Sequence, residues 1–242
     1  MRSIPARSAP RALESLDLHM PADDLPPGPT RDLRRAMARF RDGEPHAAAR
    51  SDVHAELVRI DPEQVAKIAA RRTRELVARR EADAVPVLVP AAAMAEVATV
   101  IDPDDTGAHL VDLLTRVGDT VVAGRVDDDR AADVATAELL SMVDGCGDPV
   151  ALVSILHQTR GATGALIDEL RAGGDRQPAV AATKRTATNA TTIDGFGVVA
   201  AGETVAVELD LQIEFGCGRH ECPGRSHALA IADAVLGVLT ER

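Results

Sequence analysis

Asp-Pro occurs three times at the threshold of a helix-compatible stretch in this chain: Asp61-Pro62, Asp102-Pro103 and Asp148-Pro149. Aspartate accepts hydrogen bonds from the unpaired amides of a helix's first turn, and proline, lacking an amide, fits the first helical position. Each pair therefore predicts a helix start, with the helices running to about Arg80, to Val122 and to about Leu170. The intervening stretches also read as helical. Arg31 to Phe40 is a short helix closed by Asp42-Gly43, and Pro45 opens another from His46 to Val58. Residues 84–100 form an apolar, alanine-rich helix. Asp127 to Val143 places aspartates at the positive end of the next. The last, from Ser226 to Leu239, buries Ala228, Leu229, Ile231, Ala232, Val235, Leu236 and Leu239. Only Val180 to Val207 alternates loosely, with Asp194-Gly195 at a turn, and it predicts two or three short strands. The class is mainly α, with a small β region near the C-terminal end.

The interior must be built from Ala, Leu and Val, because 242 residues include three Phe and neither Trp nor Tyr. That length supports one full core. Residues 1–30 are proline-rich with little periodicity and read as an N-terminal arm, leaving 31–242 as a single domain. A net charge of −11 argues against nucleic acid as a partner. The chain has no apolar run long enough to span a membrane, and its N-terminus has no apolar secretion core. With three cysteines, this points to a reducing, cytoplasmic setting.

The most specific stretch is Phe215 to Arg225, FGCGRHECPGR. It sets a cysteine in a glycine-rich turn directly ahead of the last helix. Glycine permits tight turns and close backbone approach. Nearby N–H donors and the positive helix end favour thiolate at Cys222, a form that can ligate a metal. Cys217, His220, Cys222 and His227 are also of the types that bind zinc, although four ligands within eleven residues would be cramped. Cys217 reads as a small buried hydrophobe rather than a ligand, and Cys146, between glycines, as structural or incidental.

Phe215-Gly216-Cys217-Gly218-Arg219-His220-Glu221-Cys222-Pro223-Gly224 resembles the haem-binding signature of the cytochrome P450 superfamily, Phe-Gly-x-Gly-x-His/Arg-x-Cys-x-Gly, at every fixed position. The resemblance implies a compact P450-like helical fold binding haem b. It makes Cys222 the proximal iron ligand and His220 a propionate contact. Gly216, Gly218 and Gly224 would let the loop lie against the porphyrin, with Phe215 beside the thiolate. Thr183 to Val207 resembles the family's segment before this loop, which implies that Arg185 points at a propionate. Asp42 to Arg50, DGEPHAAAR, resembles the start of its C helix, making His46 and Arg50 propionate partners. Positions four apart share a helix face, so these two can reach one anion. The family's Glu-x-x-Arg pair has no counterpart in the expected place. The nearest are Asp168…Arg171 and Glu56…Arg59, which read as helix-surface pairs.

Val150 to Leu170 is mostly apolar but carries His157, Gln158, Thr159, Arg160 and Thr163. A polar patch on a buried helix is a candidate site lining. It resembles the family's central helix, with Gly161 to Thr163 near its kink but without the usual acid. Here His157, Arg160 and Thr163 are the candidate catalytic or substrate-contacting residues. A satisfied buried histidine and an ion-paired arginine are the structural alternatives. The resemblance implies a haem-thiolate oxidoreductase, monooxygenase- or peroxygenase-like, acting on a small metabolite in specialised biosynthesis. Its electrons would come from a ferredoxin and reductase, or its oxidant would be peroxide. Redox-neutral haem chemistry (a lyase, dehydratase, isomerase or N-centred bond-forming enzyme) and a non-catalytic haem- or partner-binding remnant are the alternatives. With 242 residues the chain is shorter than the family it resembles, and apolar faces left exposed by the shortening would pair in a homodimer.

Overall fold

The computed structural model describes residues 1–124, 129–173, 182–208 and 215–241. The expected helix start at Asp127 and the strand start at Val180 lie outside them. The molecule is mainly helical with a small β region. Its helices are α1 (Ala9–Glu14), α2 (Pro29–Ala36), α3 (Gly43–Arg59), α4 (Pro62–Ala78), α5 (Val85–Val97), α6 (Ala108–Ala123), α7 (Asp129–Val143), α8 (Pro149–Gln158), α9 (Gly164–Arg171) and α10 (Arg225–Thr240).

Two of the three Asp-Pro pairs open helices as expected. Asp61 accepts from the amide of Glu63 at 3.0 Å and Asp148 from that of Ala151 at 2.7 Å, each followed by proline in the first turn. The third does not. Asp102 accepts from the amide of Asp105 in a turn. Asp105 then accepts from Gly107, and α6 begins only at Ala108, behind Gly107 at φ +76°. Helix α5 also ends before residue 100, at Val97, although no glycine marks the stop. Thr99 takes the left-handed conformation (φ +58°) and the amide of Val100 reaches back to Ala95.

Helices α4, α5, α9 and α10 pack together as a bundle. Helix α5 is apolar nearly all round and buries Val85, Val89 and Ala91 to Ala95, as an interior helix must. Between α8 and α9 the rod loosens into a π segment, Thr159–Thr163. Such segments shift a helix's register and often mark functional positions.

The proline-rich lead-in is ordered. Strand β1 (Arg2–Ile4) runs parallel to β6 (Thr204–Glu208), which pairs antiparallel with β3 (Ala182–Ala187), which in turn pairs with β2 (Leu18–His19). The Asp194-Gly195 turn joins a separate hairpin of β4 (Thr191–Ile193) and β5 (Gly197–Val199). Ile4, Leu13, Leu18, Val205 and Val207 form a second apolar cluster, apart from the helical core, beneath these strands.

Candidate functional site

The loop from Phe215 to Gly224 is closed by its own backbone. The amide of Cys222 donates to the carbonyl of Phe215 at 2.6 Å, and a 3-10 turn over Gly218–His220 folds the middle inward. Glycine is required at two places. Gly216 has φ +74° and a Cβ there would lie 2.5 Å from the carbonyl oxygen of His220; Gly218 has φ +55° and would meet Glu14 at 2.5 Å. Gly224 is different. Its φ is −92°, and a Cβ would make ordinary contact with Leu57 at 4.0 Å. Phe215 is half-buried beneath the Arg225 guanidinium, 5.2 Å from its ring centre.

Burial pushes the Cys222 thiol above its ordinary pKa, opposed by the Gly224 amide and Arg50. Burial thus works against the thiolate that the Gly224 amide and Arg50 favour. A cation facing the sulfur would be needed, and coordination to a metal deprotonates a thiol outright.

Helix α3 brings His46 and Arg50 to this loop. The His46 ring lies 4.8 Å from that of His220, centre to centre, and Arg50 donates to the carbonyl of Glu221. Strand β3 buries Arg185, whose guanidinium contacts the sulfur of Met20. Burial, then Arg185, His46 and Arg219, hold the His220 pKa down at about 4. The same forces lower His46: burial first, then Arg50, with Asp42 opposing. His46, Arg50, Arg185 and His220 are thus brought together around the cysteine loop.

Two arginines at this site were not singled out from sequence. Arg219 sits in a variable slot of the loop motif. Its Nε donates to Nε2 of His220 at 3.2 Å, while its terminal nitrogen holds the carbonyls of Leu13 and Ser15 at 3.4 and 2.8 Å. Arg39, in the turn after α2, is drawn in far enough for burial to lower its pKa, and its charge reaches both Arg185 and His157. Nothing local in the sequence distinguishes Arg39 from a surface arginine. Asp42 is the carboxylate that tempers this group, and it also accepts from the amide of Met20 at 2.8 Å.

His157, Arg160 and Thr163 lie along α8 and the π segment. His157 and Thr163 are buried, and neither Nδ1 of His157 nor the buried Nε of Arg160 has a hydrogen-bond partner. Burial lowers the His157 pKa to about 4, aided by Arg39 and Arg160 and opposed by Asp119 and a hydrogen bond to the backbone of Leu114.

Three readings change. The zinc set does not assemble: His227 is buried with Nε2 2.7 Å from the carbonyl oxygen of Ile60, and no three His, Cys, Asp or Glu side chains converge among the described residues. Glu56 is no helix-surface pair either. It is buried, accepting from the amide of Asp148 at 2.9 Å and from Arg59 at 2.8 Å, and so ties α3 to the start of α8. Arg171 faces Asp83 at 3.6 Å.

No family model matches the chain, and no curated protein matches its sequence. Solved structures do. Ligand-free CYP105P1 aligns at 16% identity and a TM-score of 0.65, over 99% of this chain and 82% of that one. P450BioI in complex with an acyl carrier protein bearing hexadec-9Z-enoic acid aligns at 12% identity and a TM-score of 0.71, over 99% and 84%. HmtN, a post-tailoring hydroxylase involved in himastatin biosynthesis, gives 16% and 0.66, over 99% and 82%. The chain has a cytochrome P450 fold. At these identities the likeness is one of fold. Within it, the P450-type cysteine loop precedes α10 as the sequence expects. Among the described residues no helix is long and apolar enough to cross a membrane.

Proposed function

We propose that residues 31–242 form a haem-thiolate enzyme domain acting on a small metabolite, with Cys222 as proximal ligand and residues 1–30 as a packed arm. The observation that carries this reading is the clustering of His46, Arg50, Arg185, Arg219 and His220 beside the cysteine loop, tempered by Asp42, in a chain of net charge −11. Three converging guanidiniums, Arg50, Arg185 and Arg219, flanked by two imidazoles that can donate an N–H, call for an anion, and the propionates of haem b suit them. The glycine-dependent loop offers close backbone approach and a sulfur whose ionisation awaits a metal. Donor set and cradle therefore fit the group. When bound, haem with thiolate ligation supplies chemistry that favours cleavage of an O–O bond.

The remaining work falls to this chain's residues. His46, Arg50, Arg185 and His220 hold the propionates, and Arg219 orients His220 through the Nε2 contact. Gly216 and Gly218 keep the loop low. His157, Arg160 and Thr163 line the substrate side, where burial keeps His157 neutral at physiological pH and excludes water. The solved neighbours include a hydroxylase, which favours an oxidative role. Electrons from a ferredoxin and reductase, or peroxide as oxidant, would drive it. A second reading, redox-neutral haem chemistry, is favoured by a specific feature: the π segment reads Thr-Arg-Gly-Ala-Thr and offers a cation where dioxygen chemistry commonly uses an acid.

Haem uptake tests the proposal. Purified protein titrated with haemin should bind one equivalent per chain. The double variant His46→Ala/Arg185→Ala should bind at least 10-fold more weakly. Equal uptake by the double variant would remove the cation cluster from the account.

A further inference from the structure

We infer that the outer face of α7 is a dimer interface, and that its occupant is the same face of a second copy of this chain. The inference stands apart from the haem reading. Arg130, Ala131, Val134, Ala137, Glu138 and Ser141 follow one another at the three- and four-residue spacings that share a helix face, and all six are exposed. Val134, 60% exposed, sits in the middle of them. Beside it runs a groove of about 340 Å³ between α6 and α7, floored by buried Leu113 and Ala135 and walled by Arg116, Arg130 and Glu138. A single exposed valine is ordinary. This one stands at the mouth of an apolar-floored groove, with small side chains at Ala131, Ala137 and Ser141 that let a second helix come close.

Charge selects the occupant. Arg130 lies four residues before Val134 and Glu138 four after it, about 12 Å apart along the helix axis. Arg130 has no ion pair among the described residues, and Glu138 has only His109, 2.7 Å from its Oε1. A second α7 running antiparallel, with its Val134 opposite this one, brings its Glu138 to Arg130 and its Arg130 to Glu138. A parallel one would set like charges against each other. The face is therefore complementary to itself under a two-fold rotation, which is what an isologous interface requires. In a chain of net charge −11 two copies repel over most of their surfaces, whereas at this face each Arg130 meets a carboxylate.

Sedimentation equilibrium of the full chain over a concentration series provides the test, with circular dichroism to confirm that each variant is folded. The parent should form a species of twice the chain mass. Val134→Asp puts a carboxylate at the apolar centre and should weaken self-association roughly 10-fold or more, as should Arg130→Glu and Glu138→Arg singly. Mixed in equal amounts, the Arg130→Glu and Glu138→Arg proteins should pair with each other about as tightly as the parent pairs with itself, because each then opposes the other's charges. A parent that stays monomeric at every concentration, leaving this face to some other protein, would overturn the inference. So would a folded Val134→Asp protein that still dimerises at parental strength, or single charge variants that do not recover on mixing.

Discussion

Residue identity matters most where the backbone has no freedom. Gly216 and Gly224 both belong to the loop motif, yet they answer to different constraints. Gly216→Ala places a side chain at φ +74° and against the His220 carbonyl. The left-handed conformation alone costs about 1–2 kcal/mol, so this variant should melt earlier and lose haem affinity. Gly224→Ala, at φ −92° with open contact, should melt like the parent unless the porphyrin itself needs that space. Thermal melts without and with haem separate these cases. His157 carries a pH dependence. Its folded pKa lies near 4, below the ordinary 6.5, so the unfolded chain binds the proton first. Its share of stability is full above about pH 6.5 and is lost as pH falls through about 4. Urea midpoints measured across that window should fall for the parent and fall less steeply for His157→Gln. Part of the proposed site was legible in sequence. The cysteine loop, His46, Arg50 and Arg185 announced themselves through motif. Arg39 and Arg219 did not, because their importance comes from burial and field rather than spacing.

At the scale of elements, local signals succeeded where side chain and backbone needs coincided. Asp61 and Asp148 cap their helices. Asp102-Pro103 carries the same dipeptide but forms a turn, because Asp105 and Gly107 downstream provide a competing start. The end of α5 leaves no local signal, because a threonine fills a left-handed position that glycine usually takes. The arm's strands leave no local signal for another reason: β1 and β2 are three and two residues long, and their partners lie about 200 and about 170 residues away. Glu56 was undervalued because its role is tertiary. Asp148→Ala removes a cap and should cost about 1 kcal/mol. Glu56→Ala strands the amide of Asp148 and should cost about 1–3 kcal/mol. The two act on one helix start, so the double variant should lose less than the sum in denaturant titrations.

For the whole molecule, the arrangement explains how a chain poor in aromatics could build the proposed cofactor site. A helical core of aliphatic side chains carries α3, α8 and α10, and a separate small core under the strands carries Arg185. The cysteine loop bridges them, since Arg219 anchors to the arm while Arg50 of α3 holds Glu221. The cations converge where the two cores meet. The proposed function then depends on both cores being in register, with Cys222 placing a thiolate on iron at that junction. The most direct measurement is the absorption spectrum of the haem-loaded protein, reduced under carbon monoxide, beside Cys222→Ala. A far red-shifted Soret band that disappears in the variant is the predicted result. A carbonyl spectrum that is unshifted, or that survives loss of the cysteine, would contradict it.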